Sequence, residues 1–416
     1  MIRRHITDSI YEALKDSPVI LLNGARQTGK STLVKNLSTT DYSPQYMTFD
    51  NAAVLSAATS DPEGFINSFN GPVIIDEIQR APELFVAIKS AVDERRDAGR
   101  FLLTGSADVL LLPNLLESLT GRMEIFTLWP FSRGEITGKK ETFIDDLFKT
   151  EFSIYNKGMK KNSDIMDSVL LGSYPEILVR KQRSRRDAWF NSYTTTILQR
   201  DVRDIANIEG LSELPRLFQL LSSRSTGLLN YTEISRSSGI PLQTLKRYFT
   251  LFEMTFLIQT LPAWSGNLGK QTIKSPKLYL NDSGLMAYLQ GIDKKRLRIQ
   301  PQLKGPLVEN FVIMEIRKQI TWSNLKPKMF HFRSQTGYEV DIVLEDRTGE
   351  LVGVEVKSSS TVTNKDFKGL KKLHELTGKK FNRGVVLYMG KEYVPFGNNL
   401  YAVPMNALWT EGAKKK

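Results

Sequence analysis

The chain has 416 residues, 41% of them hydrophobic and 25% charged, a balance that suits two or three folded domains and excludes a largely disordered chain. With no cysteine and three histidines, disulfides, thiolate zinc centres, cysteine nucleophiles and a histidine-rich metal site are also excluded. The net charge of +12 is uneven: residues 1–130 hold 12 Lys and Arg against 16 Asp and Glu, residues 131–300 hold 26 against 17, and residues 301–416 hold 19 against 12.

The positive charge therefore lies beyond the first third of the chain. A basic surface attracts polyanions, so nucleic acid, with DNA foremost, is the expected partner; solvated surface lysines with no partner are the alternative. No stretch approaches the ~20 apolar residues of a membrane span. The opening segment MIRRHITDSIYEALKD has no apolar core of the kind a secretory signal needs. A cytoplasmic address and no membrane partner are expected.

Pro18–Leu22 is a short apolar run rich in strand formers, and Ser31–Leu37 has a helical pattern. Between them lies Gly24-Ala25-Arg26-Gln27-Thr28-Gly29-Lys30-Ser31, with Thr32 following. A glycine-rich loop between strand and helix is the Walker A arrangement. Its backbone curls so that successive N–H groups point at phosphate oxygens, beside the positive end of the helix. Lys30 is placed to reach the β- and γ-phosphates of ATP, and Ser31 to offer its hydroxyl to Mg²⁺.

The run Val73–Ile75 ends in Asp76-Glu77. A continuous apolar run fits a central strand of a parallel sheet, with Asp76 as the Walker B carboxylate of the Mg²⁺ shell and Glu77 polarising the attacking water. Phe101–Ser106 predicts another buried strand, whose terminal Thr104 or Ser106 could contact the γ-phosphate or the water. Arg122 is a candidate arginine acting on the phosphates of a neighbouring copy, Arg133 a weaker one; a surface ion pair is the alternative for each.

Residues 131–210 read as mostly helical. Asp187–Asp201 places Trp189, Phe190, Tyr193 and Ile197 at helical spacing, as core. The basic cluster Arg180, Lys181, Arg183, Arg185, Arg186 fits a solvated turn as well as a phosphate contact. Further on, Thr232–Ser238, Gly239 and Leu242–Phe252 predict helix, tight turn and helix, with Phe256–Leu261 as a wing strand. Gln243, Lys246 and Arg247 fall off the apolar stripe and could enter a DNA groove, although such modules also pack against protein partners.

Near the C-terminus two strands are predicted, Tyr338–Leu344 and Leu351–Lys357, joined by a turn at Asp346–Gly349. Glu355 and Lys357 share one face, and the hairpin brings Asp341 beside it. Two carboxylates and a lysine so held form the PD-(D/E)xK nuclease arrangement: Asp341 and Glu355 as Mg²⁺ ligands, Lys357 activating water. Glu309, on a preceding helix, is a further acidic ligand, and Arg333 and Gln335 are phosphate neighbours. The alternative is a nuclease-like fold kept for binding, without cleavage.

GARQTGKSTL, PVIIDEIQRAPELF, FLLTGSAD and LTGRMEIFTLWPFSRGE together resemble the AAA-type ATP-binding proteins of bacteria and archaea that carry a C-terminal domain of unknown function. The likeness continues through LLGSYPEIL, LQRDVRDI, KSPKLYLNDSGLMAYLQGI, ENFVIMEI and VGVEVKSSSTVTNKDFKGLKKL, so it covers essentially the whole chain. This resemblance implies an α/β fold: a P-loop AAA-like parallel sheet, a helical and winged-helix middle, and a C-terminal α/β nuclease-like domain. The expected boundaries are 1–135 for the ATPase domain, 136–210 for the helical region, 211–300 for the winged-helix-like domain and 301–416 for the nuclease-like domain. Two functions stay open: an ATPase, possible homo-oligomer, that couples nucleotide state to nucleic-acid engagement and metal-dependent cleavage, or a nucleotide-controlled binding module whose nuclease-like domain is inert.

Overall fold

Apolar runs without polar alternation need cover on both faces, and the N-terminal third of the chain supplies it. The computed structural model describes residues 2–38, 42–107, 119–150, 152, 165–201, 211–266 and 275–409. Two compact units emerge, one of Met1–Phe131 with Thr250–Leu257, the other of Ser132–Phe249 with Ile258–Lys416.

In the first unit, β1 (Val19–Asn23), β2 (Gln45–Thr48), β3 (Val73–Asp76), β4 (Phe101–Gly105) and β5 (Met123–Thr127) form one parallel sheet in the order β2-β3-β4-β1-β5. Side chains alternate across it. Val19, Leu21, Val73, Ile75, Phe101 and Leu103 join one core with the helix Leu84–Glu94. Ile20, Leu22, Ile74 and Leu102 join the other, with Ile6 and Ile10 at the start of and within the helix Thr7–Ala13, and Val34 and Leu37 in and just after the helix Lys30–Lys35. Each fully buried Val, Leu or Ile contributes roughly 1.5–3 kcal/mol. The strand order matters for the site, because β3, β4 and β1 are adjacent and their carboxyl ends carry Asp76, Gly105 and Asn23 side by side.

The second unit is built on a six-stranded mixed sheet, β12-β13-β11-β10-β9-β8, comprising β8 (Lys328–Arg333), β9 (Glu339–Glu345), β10 (Leu351–Lys357), β11 (Phe381–Tyr388), β12 (Val394–Pro395) and β13 (Leu400–Pro404). Phe367, Leu370 and Leu373, leading into and along the helix Lys368–Thr377, cover one face. The helix Lys304–Ile320 packs on β10. A separate two-stranded sheet pairs β6 (Ile258–Leu261) with β7 (Lys277–Leu280). The strand expected over Phe256–Leu261 thus begins at Ile258, after Phe256 adopts a left-handed φ of 56°. The helices Tyr231–Ser238 and Leu242–Met254 flank Gly239, whose φ of +78° makes the turn. Leu242 is 41% exposed, whereas Leu245, Phe249 and Phe252, at helical spacing from it, are buried. The helix Arg183–Thr196 buries Trp189, Phe190 and Tyr193 and loosens into a π-turn over Ile197–Asp201.

Two motifs quoted from the middle of the sequence meet here. Asp282 accepts from the backbone N–H and the hydroxyl of Ser173, both at 2.8 Å, and caps the helix Ser283–Leu289 at Leu285 N. Gly172, at φ +79°, lies so close that a Cβ would meet Asp282 Oδ1 at 2.2 Å. Asn310, fully buried on the helix Lys304–Ile320, accepts from Leu280 N (2.8 Å) and from Ser225 Oγ (2.9 Å), and donates to Leu280 O (3.1 Å). Asn310→Ala would leave both backbone groups of Leu280 buried and unpaired, at about 1–3 kcal/mol for such a group. Urea denaturation should show a loss of a few kcal/mol, and an unchanged midpoint would mean that the contact is not a staple.

Candidate functional site

β1 delivers the chain into Gly24 at φ +143°, and a Cβ there would meet Leu128 O at 2.3 Å, so only glycine fits. Gln27 also takes a positive φ, 60°, and Gly29, at φ +96°, opens the helix Lys30–Lys35 without a side-chain cap. The loop is braced from below. Arg4 is buried, donates to Thr28 O (2.8 Å) and Trp129 O (2.6 Å), and lies over the Phe131 ring at 4.5 Å. Thr28 Oγ1 donates to Ala25 O at 2.9 Å. Lys30, 5% exposed, donates to the carbonyls of Gly24 (2.8 Å) and Ala25 (2.9 Å), so its ammonium is held inside the curl where phosphate oxygens would be received. Arg26 and Ser31 are half-buried on this loop, and Gln27 and Thr32 are exposed.

Asp76, at the end of β3, is 3% exposed. Its carboxylate is held by hydroxyls: Ser31 (3.2 Å) and Thr104 on Oδ1, Tyr46 (2.6 Å) on Oδ2. Among the described residues no Lys or Arg pairs with it. Hydroxyls stabilise the carboxylate but leave its charge uncompensated, and a hydroxyl beside a carboxylate is a hard-oxygen pair suited to Mg²⁺ together with nucleotide oxygens. Burial first, and the Asp76 carboxylate second, push the Tyr46 phenol well above its ordinary range, so it stays a donor. Glu77, held at φ 64°, accepts on Oε2 from Ser106 Oγ (2.9 Å) and from Gln79 Nε2, while Gln79 also donates to Ser106 (2.8 Å). The Glu77 N–H donates to Thr104 Oγ1 at 3.2 Å.

The structure therefore brings Lys30, Ser31, Asp76, Glu77, Thr104 and Ser106 to one end of one sheet. Arg122 is paired with Asp93 at 2.5 Å and donates to Thr120 O at 3.3 Å. Arg133 lies in the second unit, where its backbone N–H donates to Glu315 Oε2. Tyr46, Gln79 and Arg4 were not singled out by sequence reasoning. Only Gln79, two residues after Glu77, lay close enough to a motif to be suspected.

A second charged cluster lies in the second unit. Glu309, Asp341, Glu355 and Lys357 do converge, but around a residue that the sequence reading passed over. Lys277, at the start of β7 and 6% exposed, donates to Glu309 Oε1 (3.0 Å) and Asp341 Oδ1 (3.1 Å). Tyr279, two residues on and so on the same face of β7, donates to Glu309 Oε1 at 2.9 Å. Asp341 Oδ2 accepts the Val356 N–H at 3.0 Å, and Lys357 pairs with Glu355 at 2.9 Å. Burial, with Asp341's charge second, pushes Glu309 up to about 7 and Glu355 up to about 8. Burial works to lower Lys277, yet Asp341 and Glu309 leave it raised and charged. Glu309, Asp341 and Glu355 face the ammoniums of Lys277 and Lys357, and Lys357 also lies 3.9 Å from Asp366 Oδ1, so the carboxylates outnumber the ammoniums. Among the described residues, no three acidic or histidine side chains are placed to hold a metal ion; the expected Mg²⁺ set of Glu309, Asp341 and Glu355 does not fit. Arg333 pairs with Glu339 at 3.2 Å, and Gln335 is exposed. A signal for Lys277 was present: a lysine opening the otherwise apolar strand Lys-Leu-Tyr-Leu.

Residues 16–137 match the family model described as an AAA domain. Residues 162–296 and 304–408 match two domains of unknown function, DUF8612 and DUF4143. An uncharacterized protein of Mycobacterium tuberculosis is 28% identical over 415 residues, covering 99% of this chain and 85% of the relative; one from Mycobacterium bovis matches equally. Among solved structures, a Walker-type ATPase of Pyrococcus abyssi aligns at 15% identity and a TM-score of 0.40, over 70% of this chain and 96% of that one. AMPPCP-bound DnaA from Aquifex aeolicus aligns at 14% and 0.29, over 59% and 86%.

Two substitutions test these sites. Gly24→Ala should abolish binding of a fluorescent ATP analogue, because the loop cannot keep its curl against Leu128, while far-ultraviolet circular dichroism stays unchanged. Lys277→Ala leaves two buried carboxylates without their ammonium, a loss of about 3–5 kcal/mol for a broken buried pair, to be read as a lowered urea midpoint.

Proposed function

We propose that the chain is an AAA-type P-loop ATPase that binds ATP with Mg²⁺, hydrolyses it, and uses the nucleotide state to control engagement of nucleic acid, DNA foremost. The observation that carries the ATPase part is the Asp76 carboxylate beside the Lys30 loop, held by three hydroxyls and, among the described residues, by no cation. In this reading Lys30 leaves its own loop carbonyls for the β- and γ-phosphates, and the loop amides receive the remaining oxygens. Ser31 and Asp76 hold Mg²⁺, which neutralises phosphate charge when bound. Glu77 orients the attacking water through Oε1, since Oε2 is committed to Ser106 and Gln79. Arg122, paired with Asp93 in the single chain, is the arginine a second copy would recruit.

The nucleic-acid part rests on charge and exposure. Net positive charge is confined to residues beyond 130. Gln243, Lys246 and Arg247 are all exposed on the second helix of a helix–turn–helix pair. The basic cluster at 180–186 is a second candidate, in which Arg180 pairs with Glu176, Arg183 pairs with Asp187 and Asp293, and Arg186 donates to the carbonyls of Arg180 and Lys181. The second unit serves here as a binding module, not as a nuclease.

ATP turnover should fall by at least a hundredfold in Lys30→Ala and Glu77→Gln. Anisotropy of labelled duplex DNA should differ between the ATP-bound Glu77→Gln protein and the ADP-bound wild type. The logarithm of DNA affinity should fall linearly with the logarithm of salt, and Lys246→Ala/Arg247→Ala should lower the slope by about 1 for each phosphate no longer neutralised. DNA affinity indifferent to salt and to nucleotide would turn the reading toward a protein partner.

A further inference from the structure

We propose that the Lys277 ammonium stands where a divalent ion would sit in the C-terminal carboxylate cluster, making that cluster a metal-free ionic tie and not a nuclease centre. This goes beyond the ATPase reading and does not depend on it.

The hydrogen bonds of the cluster leave a metal few ligands. Lys277 Nζ lies 3.0 Å from Glu309 Oε1 and 3.1 Å from Asp341 Oδ1, and so bridges the two carboxylates. Both Asp341 oxygens are committed, one to Lys277 and one to the Val356 amide, and Glu309 Oε1 already accepts from Lys277 and Tyr279. Glu355 has Lys357 on Oε1 and contributes one oxygen, Oε2, that accepts no hydrogen bond. Magnesium takes about six oxygens in near-octahedral geometry at ~2.0–2.1 Å, and the two carboxylate oxygens that accept no hydrogen bond, Glu309 Oε2 and Glu355 Oε2, do not meet that demand.

Nor is Lys277 on a loose arm. Its backbone lies opposite Leu261 in the β6–β7 ladder and bridges to Leu228, and three residues on, Leu280 is gripped by Asn310. The side chain is 8% exposed. Asp76 gives the contrast within the same chain: a strand-end aspartate supplied only with hydroxyls is open to a cation, whereas Asp341 carries its cation already. The tie also joins parts of the chain that the family models separate, since Lys277 falls within 162–296 and Glu309, Asp341 and Glu355 fall within 304–408. Neither segment alone supplies both the Lys277 ammonium and the carboxylates it meets.

Mn²⁺ serves as the probe, titrated without nucleotide into the full chain carrying Asp76→Asn, so that the P-loop lacks its carboxylate, with free Mn²⁺ followed by electron paramagnetic resonance. No ion should be taken up to millimolar concentration. Lys277→Met should acquire one Mn²⁺ site and a melting temperature that rises with Mn²⁺, and adding Asp341→Asn should remove both. If Lys277→Met does not fold, Lys277→Arg keeps the charge and should fold and stay silent to Mn²⁺. Uptake of Mn²⁺ by the protein with Lys277 intact, lost on Glu355→Gln, overturns the proposal, as does Mn²⁺-dependent plasmid cleavage lost on Asp341→Asn. Failure of ATP-controlled DNA binding would leave these outcomes unaffected.

Discussion

A carboxylate taken out of water must be met at once by hydrogen bonds or by a positive charge, because an isolated buried anion is too costly for a marginally stable fold. Two charged centres among the described residues are solutions to that constraint around one aspartate. Asp76 is met by the hydroxyls of Ser31, Thr104 and Tyr46. Asp341 is met by the Lys277 ammonium and the Val356 amide. The neutral solution leaves charge available for a ligand, and the ionic one consumes it.

The rest of the first unit follows from keeping the Asp76 arrangement in place. The sheet order sets β3 beside β4 and β4 beside β1, which is what allows Thr104 to bond both the Asp76 carboxylate and the Glu77 amide. Two apolar cores on opposite faces hold these strands. Arg4, from the first residues of the chain, ties the phosphate loop to the segment after β5. In the second unit the corresponding ties are polar and long-range: Asp282 with Ser173, Asn310 with Leu280, and Lys277 with Glu309 and Asp341. Each is buried, so each fixes geometry as well as stability, since an alternative packing would strand a polar group.

Much of the candidate ATP site was legible because its parts are contiguous. Gly24–Ser31 is a single turn of chain, and Asp76 and Glu77 end an unbroken apolar run, so local chemistry placed them correctly beside a sheet end. Tyr46 was not legible: it lies 30 residues from Asp76, and only the pairing of β2 with β3 brings its hydroxyl there. Helical spacing puts Leu242, Leu245, Phe249 and Phe252 on one stripe, yet Leu242 is exposed while the other three are buried, since a stripe does not say where along a helix its cover stops.

The amino-acid sequence by itself determined the strand–loop–helix that can grip phosphate, the carboxylate pair that follows it, the hairpin carrying Asp341 and Glu355, and the excess of positive charge beyond residue 130. These depend on neighbours in the chain, and backbone alternation or loop curvature is enough to read them. Tertiary structure alone decided what each carboxylate faces. Whether an aspartate meets a hydroxyl or an ammonium depends on residues brought in from 28 to 64 positions away, and burial then makes that partner's charge set whether the aspartate can still take a cation.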